Sequence, residues 1–243
     1  MAHEPYIRLV PGADTAVLLI HGILGTPDHF ADFLPLIPEG ISVFNLLLDG
    51  HGKGVREFSR TSMKKWETQV ETAVDFLLTT HKKVYIAAHS LGTLLAIQQA
   101  VKRPVAGLFL LAVPIRLGLK PRVVATCWKV WRGRIRDTDL YTIAARNCCG
   151  VEQHKNLLLY LGWIPRFWEL LIKIRKTQKL LPDLTVPGIA CQSAKDELVS
   201  PASVSFLTTH SDLQVTLLKD STHYYYADDD LALLQQEFIK LLK

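Results

Sequence analysis

The sequence predicts an α/β fold: a mostly parallel sheet with helices on both faces and an inserted helical cap. Three observations carry this. Apolar runs of strand length alternate with stretches of helical period through residue 114. Runs such as Thr15-Ala16-Val17-Leu18-Leu19-Ile20 are continuously apolar, as expected of strands buried on both faces. The alternation then pauses over residues 115–182 and resumes, which marks one inserted segment. The expected division is a core of residues 1–114 and 183–243 and a helical cap of residues 115–182.

Taken in order, the strand Thr15–Ile20 runs into His21-Gly22-Ile23-Leu24-Gly25, where two glycines allow a tight loop. Pro27 suits a first helical turn with Thr26 as its cap. Phe30, Phe33, Leu34 and Ile37 recur at helical spacing, which predicts a helix stopped by Pro38-Glu39-Gly40. Ile41 to Leu46 is the next strand. The glycines of Leu48-Asp49-Gly50-His51-Gly52-Lys53-Gly54 serve a turn, because the phosphate-cradling loop pattern fails at Val55. Ser62 to His81 is a helix with Trp66, Val70, Ala73, Val74 and Leu77 on one face. Lys83 to Ala88 is a strand, Leu91 to Lys102 a helix, and Val105 to Val113 a buried strand.

The inserted segment is helical in pattern and basic. It holds 14 Lys and Arg against 4 Asp and Glu, so the acid excess lies in the core. Four of the five tryptophans fall there: Trp128, Trp131, Trp163 and Trp168. Strands return at Val186 to Cys191 and at Leu213 to Leu218. Each is followed by a helix, Pro201 to His210 and Asp228 to Leu242. Asp228, Asp229 and Asp230 open the last helix, where negative charge is favoured, and a capping role is expected of all three.

A hydrophobic fraction of 49% with 21% charged residues fits one sizeable globular core. The longest apolar run, Val105 to Ile115, is shorter than the roughly 20 residues that span a bilayer. Met1-Ala2-His3-Glu4-Pro5 lacks a signal pattern, so a cytoplasmic protein is expected. Cys127, Cys148, Cys149 and Cys191 have no metal-site spacing and read as reduced thiols. His21, His51 and His89 have no metal partner at sensible spacing and read as structural loop or core residues, with alternation directing His89 away from the site. No metal or cofactor is expected.

The chemistry gathers around His89-Ser90-Leu91-Gly92. A strand becomes a helix within a residue or two, so the backbones come close. That explains the small residues Ala88 and Gly92 on either side of Ser90. Ser90 then stands on a sharp turn with helix-start N–H groups behind it. A nucleophilic serine needs a base and a group to orient the base. Open parallel sheets place ligands at the C-terminal ends of their strands. After the strand at 186–191 come Asp196 and Glu197; after the strand at 213–218 come Asp220 and His223. His223 is the base. Asp196 is the favoured acid, with Glu197 and Asp220 as rivals. The backbone N–H groups of Leu91 and Ile23 are the expected oxyanion donors.

Leu19-Ile20-His21-Gly22, Asp49-Gly50-His51-Gly52, His89-Ser90-Leu91-Gly92, Asp196-Glu197 and Ser221-Thr222-His223 together resemble the α/β-hydrolase superfamily over nearly the whole chain. The resemblance is strongest to bacterial carboxylesterases and monoacylglycerol lipases with a small helical cap. It implies Ser90 as nucleophile, Asp196 as orienting acid and His223 as base. The departure is Ala88, where the motif G-x-S-x-G has its first glycine.

On that resemblance the expected activity is hydrolysis of carboxylic esters, short- to medium-chain acyl esters or monoacylglycerols. A thioesterase or another acyl hydrolase of the same fold is the alternative, and a silent interaction module the reading from another class. Trp128, Trp131, Phe167 and Trp168 are candidates to line an acyl pocket. Trp128 and Trp131 interleaved with basic residues read as a cap helix rather than a nucleic-acid surface. The basic cap is a candidate for peripheral contact with an anionic membrane surface.

Overall fold

A computed structural model describes residues 3–242. Met1 and Ala2, the start of the N-terminal stretch read above, and Lys243 lie outside the described residues. The chain enters through a short strand, β1 (Tyr6–Arg8), and continues into β2 (Thr15–Ile20). A helix was expected after Pro27. Two 3-10 turns stand there instead, Pro27–Phe30 and Leu34–Leu36. Pro35 has no N–H to give a continuing helix. The apolar side still faces inward: Phe30, Phe33 and Ile37 are buried. Thr26 caps the first turn by accepting the Asp28 N–H at 3.1 Å.

β3 (Ser42–Leu46), β4 (Lys53–Gly54), α1 (Val55–Arg60) and α2 (Met63–Thr80) follow. Gly50 and Gly52 in the loop before β4 take φ of 81° and 70°, which only glycine adopts without strain. Ser62 caps α2 through the Lys65 N–H. Trp66, Val70, Val74 and Leu77 lie along one face of α2 and are fully buried; each such side chain contributes about 1.5–3 kcal/mol by leaving water. β5 (Lys83–His89), α3 (Leu91–Lys102) and β6 (Gly107–Leu111) complete the first half.

The sheet order is β1-β3-β2-β5-β6, continued by β8 (Gly188–Ser193) and β9 (Gln214–Leu218). All neighbouring pairs are parallel except β1 with β3. Side chains alternate between faces. Along β2, Ala16, Leu18 and Ile20 enter one apolar cluster, and Val17 and Leu19 enter the other. The first cluster is covered by α2 and α3. The second is covered by the 27–37 segment and by α8 (Asp228–Leu241). α7 (Ala202–His210) links β8 to β9.

Between β6 and β8 lie α4 (Pro121–Arg132), α5 (Leu140–Asn147), the two-residue strand β7 (Val151–Glu152), a 3-10 stretch Leu157–Trp163 and α6 (Ile164–Leu180). β7 pairs with β4, outside the main sheet. α6 is fastened to the core by a buried lysine: Lys173 Nζ pairs with Glu67 of α2 at 2.9 Å and donates to Gln98 of α3. Among the described residues, no helix is long and apolar enough to cross a membrane.

Candidate active site

The chain leaves β2 toward β3 on one side and returns to β5 on the other. Open α/β sheets place their ligands at such a reversal, beyond the C-terminal ends of the strands, here β2 and β5. The loop His21–Gly25 follows the first strand, and Ser90 follows the second. Ser90 has φ 51° and ψ −121°, a region that costs a non-glycine residue about 1–3 kcal/mol. Neighbours hold it there. Its N–H donates to the Leu111 carbonyl at 2.9 Å, and its carbonyl accepts the N–H and hydroxyl of Thr93. A Cβ on Gly92 would clash with the carbonyl oxygens of Ile20 and His21. The small residue after the serine therefore meets the close approach of β2 and α3.

His223 follows β9 and Asp196 follows β8, at the same edge of the sheet. His223 Nδ1 lies 2.9 Å from Asp196 Oδ2, and both side chains are 1% exposed. Asp196 Oδ1 accepts the N–H groups of Leu198 and Val199, each at 2.8 Å. Burial pushes the Asp196 carboxyl up, but the His223 charge and these hydrogen bonds hold it below its ordinary value. Burial pushes the His223 imidazole down, but the charge and hydrogen bond of Asp196, with the charge of Glu197, hold it above its ordinary value. Of the rival acids, Asp220 is turned outward in an exposed pair with Lys195 at 2.7 Å. Glu197 is buried, and its Oε2 faces the backbone N–H of His223 at 3.5 Å rather than the ring.

Leu91 opens α3, so its N–H has no intrahelical acceptor. The Ile23 N–H donates to no acceptor among the described residues. Its loop is shaped by two neutral histidines. His21 Nε2 accepts the Leu48 N–H at 3.0 Å, while Nδ1 donates to the Gly22 carbonyl. His51 Nε2 accepts the Leu24 N–H at 3.1 Å, while Nδ1 donates to the Leu48 carbonyl. Burial lowers the His51 imidazole to about 4, so it stays uncharged near neutrality. Leu24 itself sits at φ 57°, and its carbonyl accepts the N–H of Gly150 at 2.7 Å. The inserted segment thus braces this loop.

Two expectations need correcting. Alternation sends His89 to the face opposite Ala88, but the loop carrying His223 lies on that same face. His89 Nε2 donates to the His223 carbonyl at 3.0 Å, its ring packs 4.8 Å from the His223 ring, and it stacks on His29 at 3.7 Å. Asp230 does not cap its own helix; its carboxylate accepts the N–H groups of Lys219, Asp220 and Ser221 and the Ser221 hydroxyl. The aromatic residues expected to line an acyl pocket lie in the inserted segment. Trp128, Phe167 and Trp168 are exposed, and Trp131 stacks on Trp128 and donates to the His154 carbonyl.

Tyr141 of α5 was not singled out by sequence. Its hydroxyl donates to Glu197 Oε1. No local pattern marks a lone tyrosine that reaches across to the core. The cysteines are all free thiols. Burial pushes Cys148 and Cys191 up to about 12. Among the described residues, no three His, Cys, Asp or Glu side chains are grouped as metal ligands.

Among curated proteins, no sequence matches. The fold is similar to that of solved structures. One is from work on the metagenome-derived lipolytic enzymes LipS and LipT, with a TM-score of 0.73 and 19% identity over 99% of this chain and 98% of that one. Another is the monoacylglycerol lipase of Paleococcus ferrophilus, with a TM-score of 0.68 and 15% identity over 98% and 99%. A third is a soluble variant of the monoglyceride lipase of Saccharomyces cerevisiae, with a TM-score of 0.70 and 16% identity over 98% and 89%. A sequence model of the alpha/beta hydrolase family matches residues 17–236, and the chain belongs to that family.

Proposed function

We propose that the protein is a serine hydrolase that cleaves carboxylic esters through an acyl-enzyme on Ser90. The observation that carries this reading is the buried His223–Asp196 pair at the sheet edge where Ser90 occupies its strained turn. His223 Nε2 takes the Ser90 proton as Oγ attacks the ester carbonyl. Asp196 fixes the ring, leaves Nε2 as the basic nitrogen and stabilises the imidazolium. The oxyanion develops against the N–H groups of Ile23 and Leu91; each such donor is typically worth about 10²–10³-fold in rate. The imidazolium returns its proton to the leaving alcohol. Water, activated by the same base, then hydrolyses the acyl-enzyme.

The proposed substrates are short- to medium-chain acyl esters and monoacylglycerols. The likeness in fold to a monoacylglycerol lipase and a monoglyceride lipase supports that class. A fluorophosphonate probe tests the mechanism. Wild type is labelled and Ser90→Ala is not; if wild type is neither labelled nor able to cleave p-nitrophenyl esters, the reading is wrong. A chain-length series of esters and monoacylglycerols then sets the acyl preference.

A second proposal concerns where substrate comes from. Leu157, Leu158, Leu161, Ile164 and Trp168 are all exposed within one short stretch of the inserted segment, which over residues 115–182 is basic. Apolar side chains in a cationic setting favour contact with an anionic lipid surface.

A further inference from the structure

Glu197 is a buried carboxylate that the proposed reaction does not consume. It stands one residue after Asp196 and is 1% exposed. Its two oxygens face different parts of the molecule. Oε1 accepts the hydroxyl of Tyr141, which comes from α5 of the inserted segment, 56 residues away in sequence. Oε2 faces the backbone N–H of His223. Asp196 and Glu197 therefore divide His223 between them, the first holding its ring and the second its main chain. We propose that Tyr141 and Glu197 are positioning residues that carry the seating of the cap to His223. This proposal rests on His223 acting as the base.

Both ends of the link are fixed. Asp139 caps α5 by accepting the Thr142 N–H at 3.2 Å and pairs with Lys129 of α4 at 2.5 Å. The Arg122 guanidinium, also from α4, lies 4.0 Å over the Tyr141 ring. On the other side, the Glu197 carbonyl accepts the Lys120 N–H and the Leu198 carbonyl accepts the Gly118 N–H, both at 2.9 Å. The acid loop is thus stitched to the chain entering the cap.

A purely structural contact here would be better served by neutral groups, because an ionised carboxylate is costly to bury. The groups facing Glu197 show what its charge does. Tyr141 comes from α5, and Arg122 from α4 lies behind that ring. Asp196 is adjacent in sequence, and His223 and Tyr224 come from the loop after β9. Burial raises the Glu197 carboxyl, and the Tyr141 hydrogen bond and the His223 charge oppose this. In return, the Glu197 charge adds to that of Asp196 in raising the His223 imidazole. The proton that His223 takes from Ser90 is therefore favoured when Glu197 is ionised and held by Tyr141.

Two conservative substitutions in the full-length protein test this. Tyr141→Phe keeps the ring under Arg122 and removes only the hydroxyl. It is expected to lower kcat about tenfold, with KM changed less than kcat. Glu197→Gln keeps the shape and removes the charge. It is expected to move the acid limb of the kcat/KM profile to lower pH, because the imidazole loses a stabilising negative neighbour. An NMR titration of the His223 ring reads the same shift without any substrate. That separates failure of this proposal from failure of the esterase reading. An unshifted His223 titration in Glu197→Gln overturns the proposal. So does a Tyr141→Phe variant whose kcat equals that of wild type.

Discussion

His51 Nε2 accepts the backbone N–H of Leu24 at 3.1 Å, so the loop after β3 holds the loop after β2 in place. The tautomer follows from the donors around it. Leu24 offers a proton to Nε2, so Nδ1 carries the ring proton and gives it to the Leu48 carbonyl at 3.1 Å. The ring is walled by Phe58 and Trp66 at 5.1 and 5.4 Å between centroids. A buried donor left without its acceptor costs about 1–3 kcal/mol. His51→Phe keeps the ring volume and removes both bonds. We expect kcat to fall about tenfold to a hundredfold, less than for outright loss of an oxyanion donor. The loss should be the same across the pH range in which His223 titrates, because His51 is already neutral there. Steady-state kinetics with a p-nitrophenyl ester decide it, and an unchanged kcat would show that Leu24 needs no such anchor.

Asp230 does for the His223 loop what His51 does for the loop after β2. One carboxylate gathers three consecutive N–H groups and the Ser221 hydroxyl, at 2.7 to 3.2 Å. Ser221 Oγ in turn accepts the Ala227 N–H at 3.2 Å, which closes the loop on the start of α8. Burial raises the Asp230 carboxyl, but the Ser221 hydroxyl and the backbone donors hold it below its ordinary value. A carboxyl depressed by folding adds stability above its unfolded value near pH 4, and that stability disappears as pH falls through the lower, folded value. Asp230→Asn should therefore lose about 1–3 kcal/mol at neutral pH. Its deficit relative to wild type should shrink in acid below about pH 4. Denaturant melts at several pH values measure this. A deficit that stays constant into acid would assign the effect to packing alone.

The strand-to-helix turn at Ser90 was legible because its constraint is local. Ala88 and Gly92 are small for a steric reason visible within a few residues, and the close approach of Gly92 to the Ile20 carbonyl is that reason made explicit. The meeting of Asp196 with His223 was legible because parallel sheets collect their loops at one edge. Other features depend on contacts that sequence does not encode locally. Tyr141 finds Glu197 across 56 residues, and His89 finds the His223 carbonyl across 134. Strand alternation gave the face of His89 but not the loop that covers that face. The aspartates at 228–230 suggested capping by position, yet Asp230 faces a different set of orphan N–H groups. β1 leaves little trace in the sequence, because three largely exposed residues at a sheet edge carry little apolar signal. Residue type alone did not separate the tryptophans of the cap: Trp163 packs against the core, while Trp128 and Trp168 are exposed on the outside.

That outward face leads to a test on lipid. Leu158 and Trp168 are 72% and 61% exposed, on a segment with an excess of Lys and Arg. Tryptophan suits the boundary between headgroups and acyl chains, and basic residues near an anionic leaflet each add about 1 kcal/mol of attraction. The protein should sediment with vesicles of mixed phosphatidylserine and phosphatidylcholine at low salt, and less with vesicles of phosphatidylcholine alone. Raising salt to about 0.5 M shortens the reach of the charges to a few ångströms and should release much of it. Leu158→Asp combined with Leu161→Asp should abolish sedimentation while leaving hydrolysis of a water-soluble ester intact, because both side chains are exposed and neither is assigned to the reaction or its acyl pocket. Failure of wild type to bind anionic vesicles at low salt would end the idea. Binding that survives the double substitution would place the contact elsewhere on the surface.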